Sequence, residues 1–228
     1  FDLPLFFINV RGALKGIVFI DENNNGVIDK GESGISEIKL LIDENKAVTN
    51  KNGGFKFSSL VPGECELNID ISSIPVGLAP HIKLPYKFIA RRGKTAEIKI
   101  PLVRTCKLKG AVFEDTNKNG KMDEEEKGIP LIRIEIISDT VGLRDTFTDN
   151  KGNYSFAGVI PGKYNVKIDT RWLPDRFIVT TDEVYSLDLS QAEEKLDINF
   201  GVVEKERPIL KTYSTQSAEP SSEPEVKQ

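Results

Sequence analysis

Residues 14–21 read LKGIVFID, and the same stretch returns 94 positions later, where residues 108–115 read LKGAVFED. Each copy is followed by an Asn-x-Asn-Gly segment, at 23–26 and at 117–120. Self-similarity at a fixed spacing indicates a repeated structural unit. We therefore interpret the chain as two copies of one module in tandem.

A second pair of matching blocks places an insertion in the second copy. Residues 52–57 (NGGFKF) match residues 151–156 (KGNYSF), but at a spacing of 99 instead of 94. The second copy therefore carries five additional residues, which we place at 139–142 as a longer hairpin loop.

The repeat also sets the expected domain boundaries. It predicts a first unit over 13–104 and a second over 105–203, with almost no linker between them. Residues 1–12 are expected to be the last strand of a preceding unit or a linker, since residues 3–6 (LPLF) precede the first unit as residues 100–103 (IPLV) precede the second. Residues 204–228 are rich in Ser, Glu and Pro and are expected to be disordered, because they are too poor in apolar side chains to offset the entropy of ordering.

The hydrophobic pattern predicts an all-β fold. Residues 65–71 (CELNIDI) and 164–169 (YNVKID) alternate apolar and polar side chains, which is typical of half-buried strands. The glycines of 52–53 and 151–153 suit hairpin turns. Only 189–196 shows weak helical spacing. Short strands with frequent turns predict an antiparallel sandwich in each unit.

Composition excludes several classes of function. The 228 residues carry 31 Lys and Arg against 35 Asp and Glu, for a net charge of −4, which argues against nucleic-acid binding. The longest apolar stretches fall short of the roughly 18 residues of a membrane-spanning helix. One His and two Cys leave little material for nucleophilic catalysis, so we do not expect an enzyme.

Two segments, 21–32 and 115–126, match the twelve-residue calcium-binding loop. A hard dication prefers six to eight oxygen ligands, and side chains two residues apart can place their oxygens around one centre. The predicted ligands of two Ca²⁺ ions are Asp21, Asn23, Asn25, the Val27 carbonyl, Asp29 and Glu32 in the first loop, and Asp115, Asn117, Asn119, the Lys121 carbonyl, Asp123 and Glu126 in the second. The alternative is an acidic loop of Asx turns without metal.

The residues around these loops favour a structural metal over a calcium sensor. Strands, not amphipathic helices, are predicted on both sides, so the ion has no helix pair to open. Gly26 and Gly120 are expected to make the sharp turn of each loop, and Ile28 and Met122 are expected to anchor the loops to the core. Each loop carries three carboxylates whose repulsion a dication would relieve.

The repeated pattern Lys-Gly-x-Val-Phe-x-Asp-x-Asn-x-Asn-Gly-x-x-Asp-x-x-Glu-x-Gly-Ile resembles the B repeats of serine–aspartate repeat surface adhesins. These belong to the collagen-adhesin B-type, prealbumin-like superfamily. The resemblance covers about 14–203 and implies two tandem Greek-key, immunoglobulin-like β-sandwiches of seven strands with an inter-strand calcium loop in each. Residues 197–201 (DINFG) resemble the closing strand of that family, whereas 96–100 in the first unit do not.

Some members of that superfamily form an internal Lys–Asn cross-link assisted by an acidic residue. Lys109, Asn199 and Glu135 are the best available trio here. A solvated strand lysine is the simpler interpretation of Lys109.

Four other residues receive structural interpretations. Cys65 is in register with core positions and is expected to be a buried thiol, with a Cys65–Cys106 disulfide as the alternative. His81 is expected to be a surface or strand residue. Trp172 corresponds to Ser73 of the first unit and suggests a shared packing corner, with sugar binding by an exposed aromatic as the alternative.

These inferences favour a calcium-stabilised structural stalk or spacer of a bacterial cell-surface or secreted adhesin-like protein. Its expected partners are neighbouring units of the same chain, with a host protein or a glycan also possible. The alternatives are a direct carbohydrate- or protein-binding sandwich, and an accessory domain of a secreted enzyme or outer-membrane protein.

Overall fold

A computed structural model describes residues 11–139 and 142–206, and their regular structure is dominated by β-strands. In the first unit these are β1 (Gly12–Ile20), β2 (Lys39–Ile42), β3 (Asn45–Val48), β4 (Gly54–Leu60), β5 (Gly63–Ile69), β6 (Leu78–Pro80), β7 (Tyr86–Ala90) and β8 (Thr95–Arg104). In the second they are β9 (Cys106–Glu114), β10 (Arg133–Ser138), β11 (Gly142–Phe147), β12 (Asn153–Val159), β13 (Gly162–Ile168), β14 (Phe177–Val179), β15 (Val184–Leu189), β16 (Glu194–Lys195) and β17 (Phe200–Glu204). Short 3-10 helices follow β5 at Ile71–Ser73 and β13 at Thr170–Trp172.

Each unit is a sandwich of two sheets, so the predicted fold class is confirmed. The first unit contains the sheets β4-β1-β8-β6 and β3-β2-β5-β7. The second contains β12-β9-β17-β14, with β16 also paired to β9, and β11-β10-β13-β15. Within residues 11–139 and 142–206 the units thus have eight and nine strands instead of the seven that the resemblance implies, because short pairings such as Leu78–Pro80 add to the sheets.

Most strand pairs are antiparallel, as predicted, but the first and last strands of each unit pair in parallel. β1 pairs with β8 from Ala13 opposite Thr95 to Ile20 opposite Leu102, and β9 pairs with β17 in the same sense. A chain whose first and last strands run in the same direction enters the sandwich at one end and leaves it at the other. Thr105 alone separates β8 from β9.

Each unit has its own hydrophobic core, built from the alternation that the sequence predicted. Cys65, Leu67 and Ile69 of β5 are buried, and their neighbours in the strand are exposed. Tyr164 and Val166 of β13 are buried in the same way in the second core.

The five-residue insertion lengthens two strands more than their loop. β10 and β11 have six residues each, whereas β2 and β3 have four. The insertion therefore lies in the predicted hairpin, but it also extends both strands, and Gly142 belongs to β11 instead of the loop. Inserted residues that lengthen two paired strands form backbone hydrogen bonds with each other. Residues added to an open loop do not form these bonds.

The weak helical spacing at 189–196 is not realised as a helix. Leu189 ends β15, Ala192 turns the chain with φ of 57°, and Glu194 begins β16. The predicted hairpin glycines are confirmed, because Gly53 and Gly152 have φ of 76° and 77°.

The two terminal predictions fall mainly outside the described residues. The proposed preceding strand lies within 1–12, of which only the last two residues are described, and Gly12 already belongs to β1. The tail predicted to be disordered from 204 onward includes Glu204, the last residue of β17, and 207–228 are not described. Within the described ranges, no helix has the length and apolar character that a membrane crossing requires.

Candidate metal centres

Both candidate loops begin at the end of the first strand of their unit. Asp21 follows β1 and its N–H donates to the carbonyl of Leu102 in β8, at 2.9 Å. Asp115 follows β9 and its N–H donates to Val202 of β17, at 2.7 Å. Because first and last strands run in parallel, each loop lies at the end where the chain leaves its unit.

The first side chain of each loop is buried and holds the turn. Asp21 is fully buried, and its two carboxylate oxygens accept from the N–H groups of Asn25 at 3.2 Å and Gly26 at 2.7 Å. Gly26 has φ of 74°, the left-handed conformation for which a glycine was expected here. A carboxylate that receives two N–H donors in a closed turn is a preformed loop anchor.

Both asparagines of the first loop converge on Asp29. The side-chain amides of Asn23 and Asn25 donate to one carboxylate oxygen of Asp29, at 2.8 and 2.7 Å. Hydrogen bonds from Asn23, and then from Asn25, lower the pKa of the Asp29 carboxyl group below its usual value. The loop thereby favours the ionised form that a cation would need.

Glu32, the twelfth residue, reaches back across the loop. Its carboxylate oxygens accept from the N–H groups of Glu22 and Asp29, both at 2.9 Å. This contact closes the loop on itself. A bridge between Phe19 and Gly34 then returns the chain to the sandwich.

The second loop repeats this hydrogen-bond pattern. Asp115 accepts from Asn119 and Gly120, and the amides of Asn117 and Asn119 donate to Asp123 at 2.7 and 2.9 Å. Glu126 receives the N–H groups of Thr116 at 2.9 Å and Asp123 at 3.1 Å. Asp115 also accepts a hydrogen bond from the hydroxyl group of Thr180.

The predicted ligands therefore share one hydrogen-bonded loop in each unit, but they do not form an assembled cage. The asparagine amides present nitrogen, not oxygen, to Asp29 and Asp123. The N–H groups of Val27 and Lys121 each donate to the side chain of the preceding asparagine, Asn25 or Asn119, at 2.7 Å. Among residues 11–139 and 142–206, no three acidic, His or Cys side chains are grouped so that they could hold a metal ion.

The donor set nevertheless fits a hard cation in chemistry. Each loop offers three carboxylates and two side-chain amides, whose oxygens accept backbone N–H groups inside the loop and have a second lone pair each. The expected anchoring of the loops is only partly correct. Ile28 is half-buried, but Met122 is 40% exposed and does not anchor the second loop in the core.

Sequence reasoning missed a set of contacts beside the first loop. The side chain of Gln191, from the second unit, bonds to the backbone of Asp21 and Arg104 in the first unit. The Arg104 guanidinium group in turn pairs with Glu22, the second residue of the loop, at 3.0 Å. The one-residue linker indicates that the units touch, but no residue pattern marks a single glutamine in a turn.

The candidate cross-link trio is not brought together. Lys109 pairs with Glu194 at 2.8 Å, and the Asn199 side chain accepts from the N–H of Ala111. Glu135 instead pairs with basic side chains on the outer face of its sheet. The interpretation of Lys109 as a strand lysine is supported.

Glu135 belongs to a charged cluster that the first unit lacks. Its side chain is 5% exposed, and its carboxylate group contacts Arg133 and Lys167, each at 3.2 Å. Asp169 is also buried and receives hydrogen bonds from Arg171, which lower its pKa to about 2. The first unit has Leu41 and Ser72 at the positions of Glu135 and Arg171.

The two cysteines are free and buried, so the thiol interpretation is confirmed and the disulfide is excluded. They belong to different cores, and burial raises the pKa of both thiols. His81 follows β6, and its N–H donates to Pro101.

The packing corner suggested by Trp172 is shared, but the tryptophan does not fill it. Ser73 and Trp172 end equivalent 3-10 helices, and the next residues, Ile74 and Leu173, pack against the cores. Trp172 is 52% exposed and meets Phe147 edge to face.

Comparisons with known proteins identify relatives for both units. The model of the SdrD B-like domain matches residues 12–81 and 107–203. Serine-aspartate repeat-containing protein D of Staphylococcus aureus (strain Newman) is 31% identical over 178 residues, which cover 69% of this chain and 13% of that protein. Serine-aspartate repeat-containing protein F of Staphylococcus epidermidis (strain ATCC 12228 / FDA PCI 1200) is 25% identical over 190 residues, which cover 71% of this chain and 12% of that protein. The chain thus spans a small part of these relatives.

Solved structures with a similar arrangement are more distant. GBS52, the minor pilin of Streptococcus agalactiae, has a TM-score of 0.45 and 12% identity, covering 89% of this chain and 100% of that one. The Bacillus anthracis TIE protein has a TM-score of 0.38 and 15% identity, covering 86% of this chain and 34% of that one.

Proposed function

This chain belongs to the SdrD B-like domain family, and from that membership we propose that it is a calcium-stabilised spacer of a bacterial surface or secreted adhesin-like protein. The main support for this proposal is that both twelve-residue loops have the same hydrogen-bond pattern. Both also lie at the end of the unit where the chain leaves it, here called the exit end. Both copies carry the same five side-chain types at the same loop positions.

In the first loop, Asp21, Asn23, Asn25, Asp29, Glu32 and the Val27 carbonyl would hold the ion. In the second, Asp115, Asn117, Asn119, Asp123, Glu126 and the Lys121 carbonyl would do so. Bound Ca²⁺ supplies two positive charges to a loop that carries three carboxylates. The protein residues place these carboxylates within one closed turn, and the asparagine side-chain oxygens accept backbone N–H groups inside the same turn.

Calcium binding would stabilise each unit by linkage. A ligand that binds only the folded state adds about 2.7 kcal/mol when its free concentration is a hundred times Kd. Small domains have total stabilities of roughly 5–15 kcal/mol, so the ion would supply a substantial share.

The course of the chain supports a spacer. Each unit passes the chain from one end to the other through its parallel terminal strands, and Thr105 alone joins the two. Units connected in this way extend end to end. Their direct partners would be neighbouring units of the same chain, outside the cytoplasm, and we assign no catalytic role to them.

The surface gives little support to a carbohydrate-binding module. Trp172 and Phe147 are exposed, but their rings meet at 75° with centroids 4.9 Å apart. A sugar ring stacks on a flat aromatic face, and an edge-to-face pair does not form a continuous one.

Isothermal titration with CaCl2 on the chelator-treated chain tests the proposal. We expect two calcium ions per chain, with heat released or absorbed at both loops. A chain that takes up no calcium would overturn the proposed function.

A further inference from the structure

One side chain of the second unit holds the first unit by two hydrogen bonds. The Gln191 side-chain amide donates to the backbone carbonyl of Asp21 at 2.8 Å, and its oxygen accepts from the N–H of Arg104 at 3.0 Å. Gln191 lies in the turn between β15 and β16, whereas its two partners lie in the first loop and at the end of β8. A single half-buried side chain thus spans the joint.

The chemistry of this contact requires an amide. A backbone carbonyl can only accept and a backbone N–H can only donate, so the two partners fix the orientation of the Gln191 amide group. A carboxylate would lose the donor, and an ammonium or guanidinium group would lose the acceptor.

The turn that carries Gln191 is itself fixed to its own unit. The thiol of Cys106, the first residue of β9, donates to the carbonyl of Ser190 at 2.8 Å. The N–H of Glu193 donates to the same residue at 3.2 Å. Two hydrogen bonds therefore hold the Gln191 turn to its own unit.

The apolar part of the joint contains a small cavity. A cavity of about 90 Å³ remains between Ala79 of the first unit and second-unit residues that include Val159 and Tyr164. The two hydrogen bonds of Gln191 are directional, so they constrain the relative orientation of the units, together with the bond from the N–H of Thr105 to the carbonyl of Gly77 at 2.8 Å.

The first unit has the same turn with a different residue. Arg92 occupies the position of Gln191, and the next residues, Gly93 and Ala192, have φ of 63° and 57°. Lys94 repeats the backbone bond of Glu193. Arginine has no acceptor, so Arg92 could not make the pair of bonds that Gln191 makes.

We propose that the Gln191 turn is a docking surface whose partner is the exit end of the preceding unit, and that it fixes the orientation of the second unit on the candidate metal loop of the first. The inference rests on the proposed function only in naming that loop a metal site. The surface would fit a unit that ends in a loop carbonyl and a free strand N–H.

Residual dipolar couplings of the backbone amides in the full chain test this proposal. In the wild type, one alignment tensor should fit both units. In Gln191→Ala, and in the isosteric Gln191→Glu, the units should require separate tensors. The Arg104 N–H, whose acceptor is removed in Gln191→Ala, should lose protection from hydrogen exchange in that variant.

Arg92→Ala is the matched control, since it removes the equivalent side chain from the first unit and should keep one tensor. The proposal fails if both Gln191 variants keep a common tensor, or if Arg92→Ala separates the units equally. The couplings are recorded with calcium and with chelator. Calorimetry without calcium uptake would overturn the proposed function and leave this comparison valid.

Discussion

The guanidinium group of Arg104 donates to both carboxylate oxygens of Glu22, at 3.0 and 3.3 Å. This pair ties the end of β8 to the second position of the first loop. The equivalent positions of the second unit carry Glu204 and Thr116, so the second loop lacks the brace.

Arg104→Ala should lower the Tm of the first unit only slightly, because both side chains are about half exposed and water screens their attraction. The variant keeps the backbone N–H that bonds to Gln191. Calorimetric melts at low and high salt test this prediction. The difference in Tm between the variant and the wild type should decrease as the salt concentration rises. A large, salt-independent loss would show that Arg104 acts through packing.

Calcium should raise the Tm of both units. If calcium contributes about 2.7 kcal/mol per site at a hundredfold excess over Kd, the shift for a unit of this size is roughly 10–20 °C. Scanning calorimetry with CaCl2 and with chelator measures it. Coincident melts under the two conditions would contradict a stabilising metal.

Glu126→Gln should weaken calcium binding at the second loop by about tenfold or more, since it removes a charged ligand from the twelfth position. The Tm of the second unit in calcium should fall, and that of the first should change little. Glu125→Gln, in the same loop and exposed, is the charge-matched control. An equal loss of calcium affinity in Glu126→Gln and Glu125→Gln would mean that the net charge of the loop, and not ligation by Glu126, determines binding.

Gly128→Ala should destabilise the second unit by about 3 kcal/mol. A methyl group there would lie 1.8 Å from the carbonyl oxygen of Lys151 and 2.7 Å from the nitrogen of Gly152. Both are backbone atoms of a tight turn and cannot move aside easily. Urea unfolding measures the free energy of unfolding of this variant and of Lys127→Ala, a control at the exposed residue next to Gly128. Equal values for the two variants would show that the backbone at 151–152 moves to make room for the methyl group.

Asp169→Asn should lower stability at neutral pH by roughly 1–3 kcal/mol, because it breaks charged hydrogen bonds to Arg171. The pKa of Asp169 is about 2 against an ordinary value of 3.8. A depressed pKa stabilises the fold above about pH 4, and that contribution is lost as the pH falls toward 2.

Urea unfolding at pH 7, 4 and 2.5 checks this expectation. The difference in free energy of unfolding between the wild type and Asp169→Asn should decrease as the pH falls. Asp70→Asn is the control, since Asp70 begins the equivalent 3-10 helix but is held by Ser72 without an arginine. A difference in free energy of unfolding that does not change with pH would show that the charge of Asp169 is not the cause of the lost stability.

The sequence was sufficient for the fold because its signals are local and repeated. Alternation at 65–71 placed Cys65 in the core, and the glycines at 53 and 152 marked the turns. The parallel pairing of β1 with β8 was not predicted, since it joins residues about eighty positions apart that no local pattern connects.

For the candidate site, spacing placed the loop side chains together but could not give their orientation. The asparagine amides turn their nitrogens to Asp29, and spacing alone does not decide which end of an amide group faces a carboxylate. Gln191 was missed for a different reason. Its contact depends on how the two units meet, which is not encoded in either repeat alone.

The parallel terminal strands also decide how a unit carries a pulling force. Tension between Gly12 and Arg104 acts along the β1–β8 ladder, so its hydrogen bonds share the load in shear and do not open one after another. The second unit has an interrupted ladder, since β9 pairs with β16 over two residues and with β17 over three. Under load applied at the ends of the tandem, the second unit should therefore yield before the first.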